Sequence, residues 1–255
     1  MIDITFWQVS FGYVFVVILL IILNRRGIKK EKLLIYASIR MTLQLTLMGY
    51  ALIYIFDIND PLLTTAIVLL MLLFANYTIF NKFKAKLHGS LKKVIAIAMP
   101  LGTLPVLLYF LWVVIAVEPI LNPQYVIPIT GMIIGNSMTG ITLAISHMLQ
   151  AFNKQQDMIL AHLYLGANTK QATKDIVNDG FDQATMPTLN SMLGMGIIFL
   201  PGMMTGQILS GVVPTTAILY QIAIMLGILG SVTLTAYMVL RFGVLTFFNS
   251  DDQLI

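Results

Sequence analysis

Apolar positions in this chain gather into long unbroken runs instead of alternating with polar ones. The segments "ITFWQVSFGYVFVVILLIILN" (4–24), "PLLTTAIVLLMLLFANYTIFN" (61–81) and "VIAIAMPLGTLPVLLYFLWVVIAV" (94–117) contain no charged residue. Each reaches the ~20 residues that a helix needs to cross a bilayer core. A fourth run, between Leu33 and Phe56, carries one charge, Arg40, and a fifth fills 124–150. From Gln183 to Leu240 no charge occurs, which is too long for one crossing, and Gly211 to Pro214 offers a turn that divides it in two. The pattern predicts an all-α membrane protein of seven transmembrane helices, a single polytopic domain over 1–255.

Composition agrees: 58% of the 255 residues are apolar and 10% charged, against roughly 25% charged in soluble domains. The first run has no basic residues before it and no small-residue cleavage site after it, so it is expected to remain as a span and not to be removed as a secretion signal. Cysteine is absent, which excludes disulfides and thiolate ligands. The net charge of +4 invites a nucleic-acid reading, but the placement of the charges excludes it.

Five basic residues lie in "NRRGIKKEK" and five in "NKFKAKLHGSLKK", and the rest are Arg40, Lys154, Lys170, Lys174 and Arg241. With seven spans all fifteen fall on one side of the membrane or at its edge, as retention of positive charge in the cytoplasm requires. The N-terminus is therefore expected outside and the C-terminus in the cytoplasm of a cell inner (cytoplasmic) membrane. Asp57, Asp60 and Glu118 occupy the outer loops.

That topology makes 153–186 the longest cytoplasmic segment. "DMILAHLYL" is expected to prolong the preceding helix, Gly166 to end it in a left-handed conformation, and Asn168 with Gln171 to open the next as a capping box. The second helix, expected over Thr169 to Gln183, sets Ala172, Ile176 and Val177 near one face and Lys170, Lys174, Asp175 and Asp179 around the remainder. Such a hairpin either joins two spans as a plain connection or docks a soluble partner that pushes on it.

Two segments share a pattern: "GMIIGN" (131–136) and "GMMTGQ" (202–207), each closely preceded by a proline, Pro128 or Pro201. Both helices are expected to be kinked or unwound there, as at transport sites in several carriers. The glycines have an alternative role in close helix packing. The amides of Asn136 and Gln207 either bond across a helix interface or line a path. Ser137, Thr139 and Thr205 are weaker candidates, because hydroxyls bond to the preceding turn. Met132, Met203 and Met204 stand beside the glycines and offer soft sulfur ligands, or else fill the core. Arg40 is a functional candidate by default that can also snorkel to the interface, and Asn76 is similarly open. The three histidines, His88, His147 and His162, are isolated from one another, and no metal ligand set is defined. No carboxylate lies within a span, which disfavours proton-coupled transport and leaves a hard cation such as iron weak contacts only.

The spacing of Ala161, Gly166, Ala167, Gln171 and Ile176 resembles the coupling-helix loop of bacterial ABC importer permeases. Leu160 and His162 depart from its acidic-alanine triplet, and Asn178–Asp179 replaces its Leu-Pro. Across nearly the whole chain, "VIPITGMIIGNSMTGITLA", "LGANTKQA" and "FLPGMMTGQILSGVVPTTAILYQIAIM" resemble the FetB (YbbM) family of iron-export ABC transporter permeases. The resemblance implies a non-enzymatic permease paired with an ATP-binding subunit of FetA type, which would carry the ATP and magnesium. Its plant relatives act in aluminium tolerance, with a nucleotide sugar proposed as cargo, so the substrate stays open between iron, another metal and a nucleotide sugar. The chain has no phosphate-binding loop, so its own cofactor complement is none, and ATP hydrolysis needs the partner. Seven spans are few for a two-sided path, so a second copy of the chain in the bilayer is expected. The alternatives are an ATP-independent channel or secondary carrier and an intramembrane enzyme; the latter lacks a His-Glu-x-x-His pair.

Overall fold

A computed structural model describes residues 5–84, 87–249 and 253–254. Among them the fold is helical, without a named strand, and six helices are long and apolar enough to cross a membrane. The protein is a multi-pass membrane protein.

The chain divides into two compact units, Met1–Asn59 and Asp60–Ile255. The first holds α1 (Phe6–Gly12), α2 (Val14–Arg25) and α3 (Glu31–Ile58). The first expected span is therefore two helices meeting at Tyr13, whose hydroxyl bonds Thr42 of α3. Arg40 lies over the Tyr36 ring at 5.9 Å. Among the described residues of this unit no apolar side chain is buried and most are exposed, which in lipid carries no penalty.

The second unit contains α4 (Pro61–Lys82), α5 (Gly89–Tyr109, extended by a π-helical turn, Phe110–Val114), α6 (Pro123–Lys154), α7 (Gln156–Tyr164), α8 (Thr169–Ala172), α9 (Lys174–Gly194), α10 (Gly202–Leu209) and α11 (Pro214–Gly243). Asp60 and Asn122 cap α4 and α6, each accepting from a backbone N–H two residues on, with proline at the first helical position.

Small residues, more than hydrophobicity, hold this bundle, because lipid tails are as apolar as leucine. Gly102 of α5 sits so close to α11 that an added Cβ would lie 2.9 Å from the Thr235 backbone nitrogen. Gly140 of α6 similarly admits Val232 of α11 and the Ala184 carbonyl of α9. Ser137 and Ser231 share a buried hydrogen bond of 2.7 Å between α6 and α11. These pairs fix direction. Residues 137 and 148 of α6 meet 231 and 243 of α11, so the two run parallel. Gly102 meets Thr235 while Phe110 meets Gly227, so α5 runs opposite to α11, and α9 does likewise, with Gly180 on Leu240.

One end of this unit consequently gathers the basic residues Lys82, Lys92, Lys93, Lys154, Lys170, Lys174 and Arg241. It is closed by aromatic contacts: Phe152 stacks on Phe247 at 4.2 Å, and His88 meets the same ring edge-on.

Three expectations need correction. The segment expected to form one crossing between 183 and 210 is broken: α9 stops at Gly194, a turn fills 195–201, and α10 adds eight residues. Gly196 takes a positive φ of 85°, the turn closes through Gly196 N–H to the Phe199 carbonyl at 2.9 Å, and Pro201 starts α10 without a donor. The hairpin helices also differ. Helix α7 is separated from α6 at Gln155, and the second helix breaks at Thr173, whose hydroxyl bonds the Thr169 carbonyl at 2.7 Å. After that break α9 continues past Gln183 to Gly194. Finally, α6 passes through Pro128 as helix, so unwinding is found beside Pro201 but not beside Pro128.

Candidate functional site

The hairpin at the basic end is built as a rigid bracket. Gly166 takes φ 89°, a left-handed turn that L side chains resist, and the Ala167 N–H bonds the His162 carbonyl at 3.0 Å. Asn168 and Gln171 form the expected capping box, with Asn168 Oδ1 accepting from the Gln171 N–H at 2.9 Å and Gln171 Oε1 from the Asn168 N–H at 3.0 Å. Ile159, Thr169, Ala172 and Ile176 are buried and anchor the bracket to the bundle. The tip points the other way: Tyr164 and Leu165 are 86% and 85% exposed. Two large apolar side chains presented by a braced turn form a small exposed knob.

The second candidate region lies along α6. Gly131 packs against Met71 of α4 and Gly140 against α9. Between those two contacts, at helical spacing, run Met132, Gly135, Asn136 and Thr139. Asn136 and Thr139 are exposed, and both bond back to their own helix, Asn136 Nδ2 to the Met132 carbonyl at 2.7 Å and Thr139 Oγ1 to the Gly135 carbonyl at 3.0 Å. A Cβ at Gly135 would touch nothing within 4 Å, and the same holds for Gly202 and Gly206 of the second motif. No described residue of a neighbouring helix would meet a Cβ at any of these three glycines. The glycines that meet a neighbouring helix are Gly102, Gly140, Gly180, Gly227 and Gly243, which the motif did not mark, and Gly131, which it did.

The remaining predicted residues separate. Ser137 faces inward to Ser231 and holds the bundle. Thr205 bonds the Pro201 carbonyl at 3.0 Å. Met132 and Met203 reach one apolar cluster that includes Val126, Ile133 and Ile224, so both glycine motifs border the same core, while Met204 is buried. The Gln207 Oε1 atom is enclosed without a hydrogen-bond partner, as are Gln221 Oε1, Thr130 Oγ1 and Asn76 Oδ1. Sequence reading missed Asn190, an exposed amide on α9. With Ala184 opposite Gly140 in an antiparallel pair, Asn190 stands near the level of Asn136. Its signal was available, an amide within the uncharged run after Gln183. Among the described residues no three His, Asp or Glu side chains converge as a metal site.

An all-helical bundle with six helices long and apolar enough to cross a membrane, a broken apolar segment and a braced loop at its basic end belongs to the class of polytopic membrane proteins. The sequence profile described as "Uncharacterised protein family (UPF0014)" matches residues 6–248, and the chain belongs to that family. It is 32% identical over 254 residues to the "Probable iron export permease protein FetB" of Escherichia coli (strain K12), covering 99% of this chain and 96% of that protein. It is 33% identical to the "UPF0014 membrane protein YjkA" of Bacillus subtilis (strain 168), covering 89% of each. To the "Protein ALUMINUM SENSITIVE 3" of Arabidopsis thaliana it is 32% identical, over 87% of this chain and 80% of that one. No solved structure matches.

Proposed function

We propose that this chain is the membrane-spanning permease of an ATP-driven metal exporter, acting as two copies with a separate ATP-hydrolysing subunit. The observation that carries the reading is the hairpin: a capped, core-anchored bracket at the basic end whose tip exposes Tyr164 and Leu165. A partner seated on that knob would move α8 and α9 together, and α9 leads directly into the broken segment at 195–201. Nucleotide-driven closure of the partner would thus reach the membrane interior through one rigid helix. ATP and magnesium would bind in the partner, and this chain would catalyse no reaction of its own.

The parallel course of α6 and α11 supports seven crossings, because the chain between them must return from the basic end to the opposite one. The broken segment α9–turn–α10 supplies that return. Segregation of the basic residues supports a cytoplasmic C-terminus in the inner membrane and an external N-terminus. The stripe formed by exposed Asn136 and Thr139 beside half-buried Gly135, polar on a helix that is apolar enough to cross a membrane, favours a path completed by a second copy. Iron is the substrate class taken over from the name of the E. coli relative. Amide and thioether groups along the stripe would give it weak, transient contacts.

The test is export into inverted vesicles containing this chain and its ATPase, with co-purification as the first readout. Tyr164→Asp with Leu165→Asp is expected to abolish co-purification and ATP-dependent movement while membrane insertion is retained. Association and transport that survive both changes would defeat the proposal. A second reading, an ATP-independent carrier, draws on the broken helix, a feature of secondary transporters. Movement that persists without nucleotide would favour it.

A further inference from the structure

Beside the hairpin lies a groove of about 630 Å³ lined by residues from 168 to 178 and from the end of α11. Its polar lining comprises three cations, Lys170, Lys174 and Arg241, with Thr173 and the amides of Asn168, Gln171 and Asn178. Among the described residues no carboxylate lines it, although Asp175 and Asp179 stand on the same helix. None of the three cations makes an ion pair with a described residue. Like charges gathered without a counter-charge repel one another, so the arrangement is suited to an anion. Val177, Tyr237, Val244 and Leu245 complete the groove and make one side of it apolar. Tyr237 is half exposed on α11, one helical turn from Arg241, and tyrosine is a side chain that marks the membrane interface. A phosphate with hydrocarbon attached matches both sides of this lining, whereas a free anion would use the polar side alone.

We infer that this groove binds the phosphate-bearing headgroup of an anionic phospholipid from the leaflet at the basic end, with the glycerol and upper acyl chain along Val177, Tyr237 and Leu245. Basic pockets between membrane helices hold such headgroups. Asn168 and Gln171 both cap α8 and line the groove, so an occupying lipid clamps the bracket to the end of α11. The inference is independent of any transport activity, since its readout is lipid retention.

The test is native mass spectrometry of the full-length detergent-purified chain titrated with phosphatidylglycerol or phosphatidylcholine. Each cation removed is expected to weaken phosphatidylglycerol binding about fivefold. Lys170→Gln, Lys174→Gln and Arg241→Gln together should weaken it by about a hundredfold, leaving phosphatidylcholine unchanged. Removing three charges elsewhere, with Arg25→Gln, Arg26→Gln and Lys29→Gln, should leave phosphatidylglycerol retention as in the parent. Lys170→Arg with Lys174→Arg, which keeps the charge, should retain binding and guards against a folding defect in the triple variant. Equal losses in both neutralised triples, or retention in the groove triple, would overturn the inference. So would complete displacement of phosphatidylglycerol by millimolar inorganic phosphate, which would assign the groove to a soluble anion.

Discussion

Replacing Gly102 with alanine tests whether the α5–α11 contact organises the bundle. The new methyl would stand 2.9 Å from the Thr235 backbone nitrogen and 3.1 Å from its Cα, and closer still to the Thr235 side-chain methyl. Carbon atoms normally approach to about 3.5–4.0 Å. Rotating a side chain relieves only the last of these contacts; the others need the two helices to separate by roughly half an ångström or more. Overpacking of this kind costs about 1–3 kcal/mol, so the midpoint of unfolding in an SDS titration should fall clearly. Thr235→Ser, which removes the methyl and keeps the hydroxyl that bonds the Ser231 carbonyl at 2.8 Å, should recover part of the loss in the double variant. Gly135→Ala and Gly206→Ala face open space and should shift the midpoint by less than about 0.5 kcal/mol. A Gly102→Ala midpoint equal to the parent would refute the assignment of this contact.

A Cβ at Gly166 would meet no neighbour within 4 Å, so the main cost of Gly166→Val is the left-handed backbone, about 1–3 kcal/mol confined to the hairpin. ATPase activity of the assembled complex should then lose its dependence on transport while helix content by circular dichroism stays constant. Asn168→Ala removes the cap and should cost about 1 kcal/mol, seen as faster hydrogen exchange over 169–173 with unchanged exchange in α6. Asn136→Ala gives up a bond to its own helix alone and should leave the unfolding midpoint unmoved. If the amide lines the path, vesicle export should drop by about tenfold, the worth of roughly one polar contact; unchanged export would remove Asn136 from it.

Much of the fold was legible because crossing a bilayer imposes a length and a composition that one chain cannot hide. Six of the seven expected spans appear, five as long helices and the first as two helices meeting at Tyr13. The Asn168–Gln171 box and the left-handed Gly166 were equally visible, since capping is settled within five residues. Unwinding was expected beside Pro201, but its start seven residues earlier, at Gly194, was not, although Gly194 and Gly196 carry its signal. An apolar run reads as continuous whenever hydropathy is the measure, and hydropathy does not register a backbone turn. The glycine motifs misled differently. Spacing alone cannot say whether a small residue faces a neighbouring helix or open space, and Gly135 faces space where Gly140, five residues on, meets two helices.

By itself, then, the sequence determined that this is a helical membrane protein, where its charges gather and how its hairpin is capped, because each follows from local composition or from bonds a few residues apart. Only the tertiary structure decided that α6 and α11 run parallel, that Ser137 serves the core while Asn136 faces outward, and that Lys170, Lys174 and Arg241 share one groove. Those facts join positions up to 94 residues apart. They depend on which helix faces which, and in a bilayer that choice rests on close fit between small side chains, which no single stretch of the chain encodes.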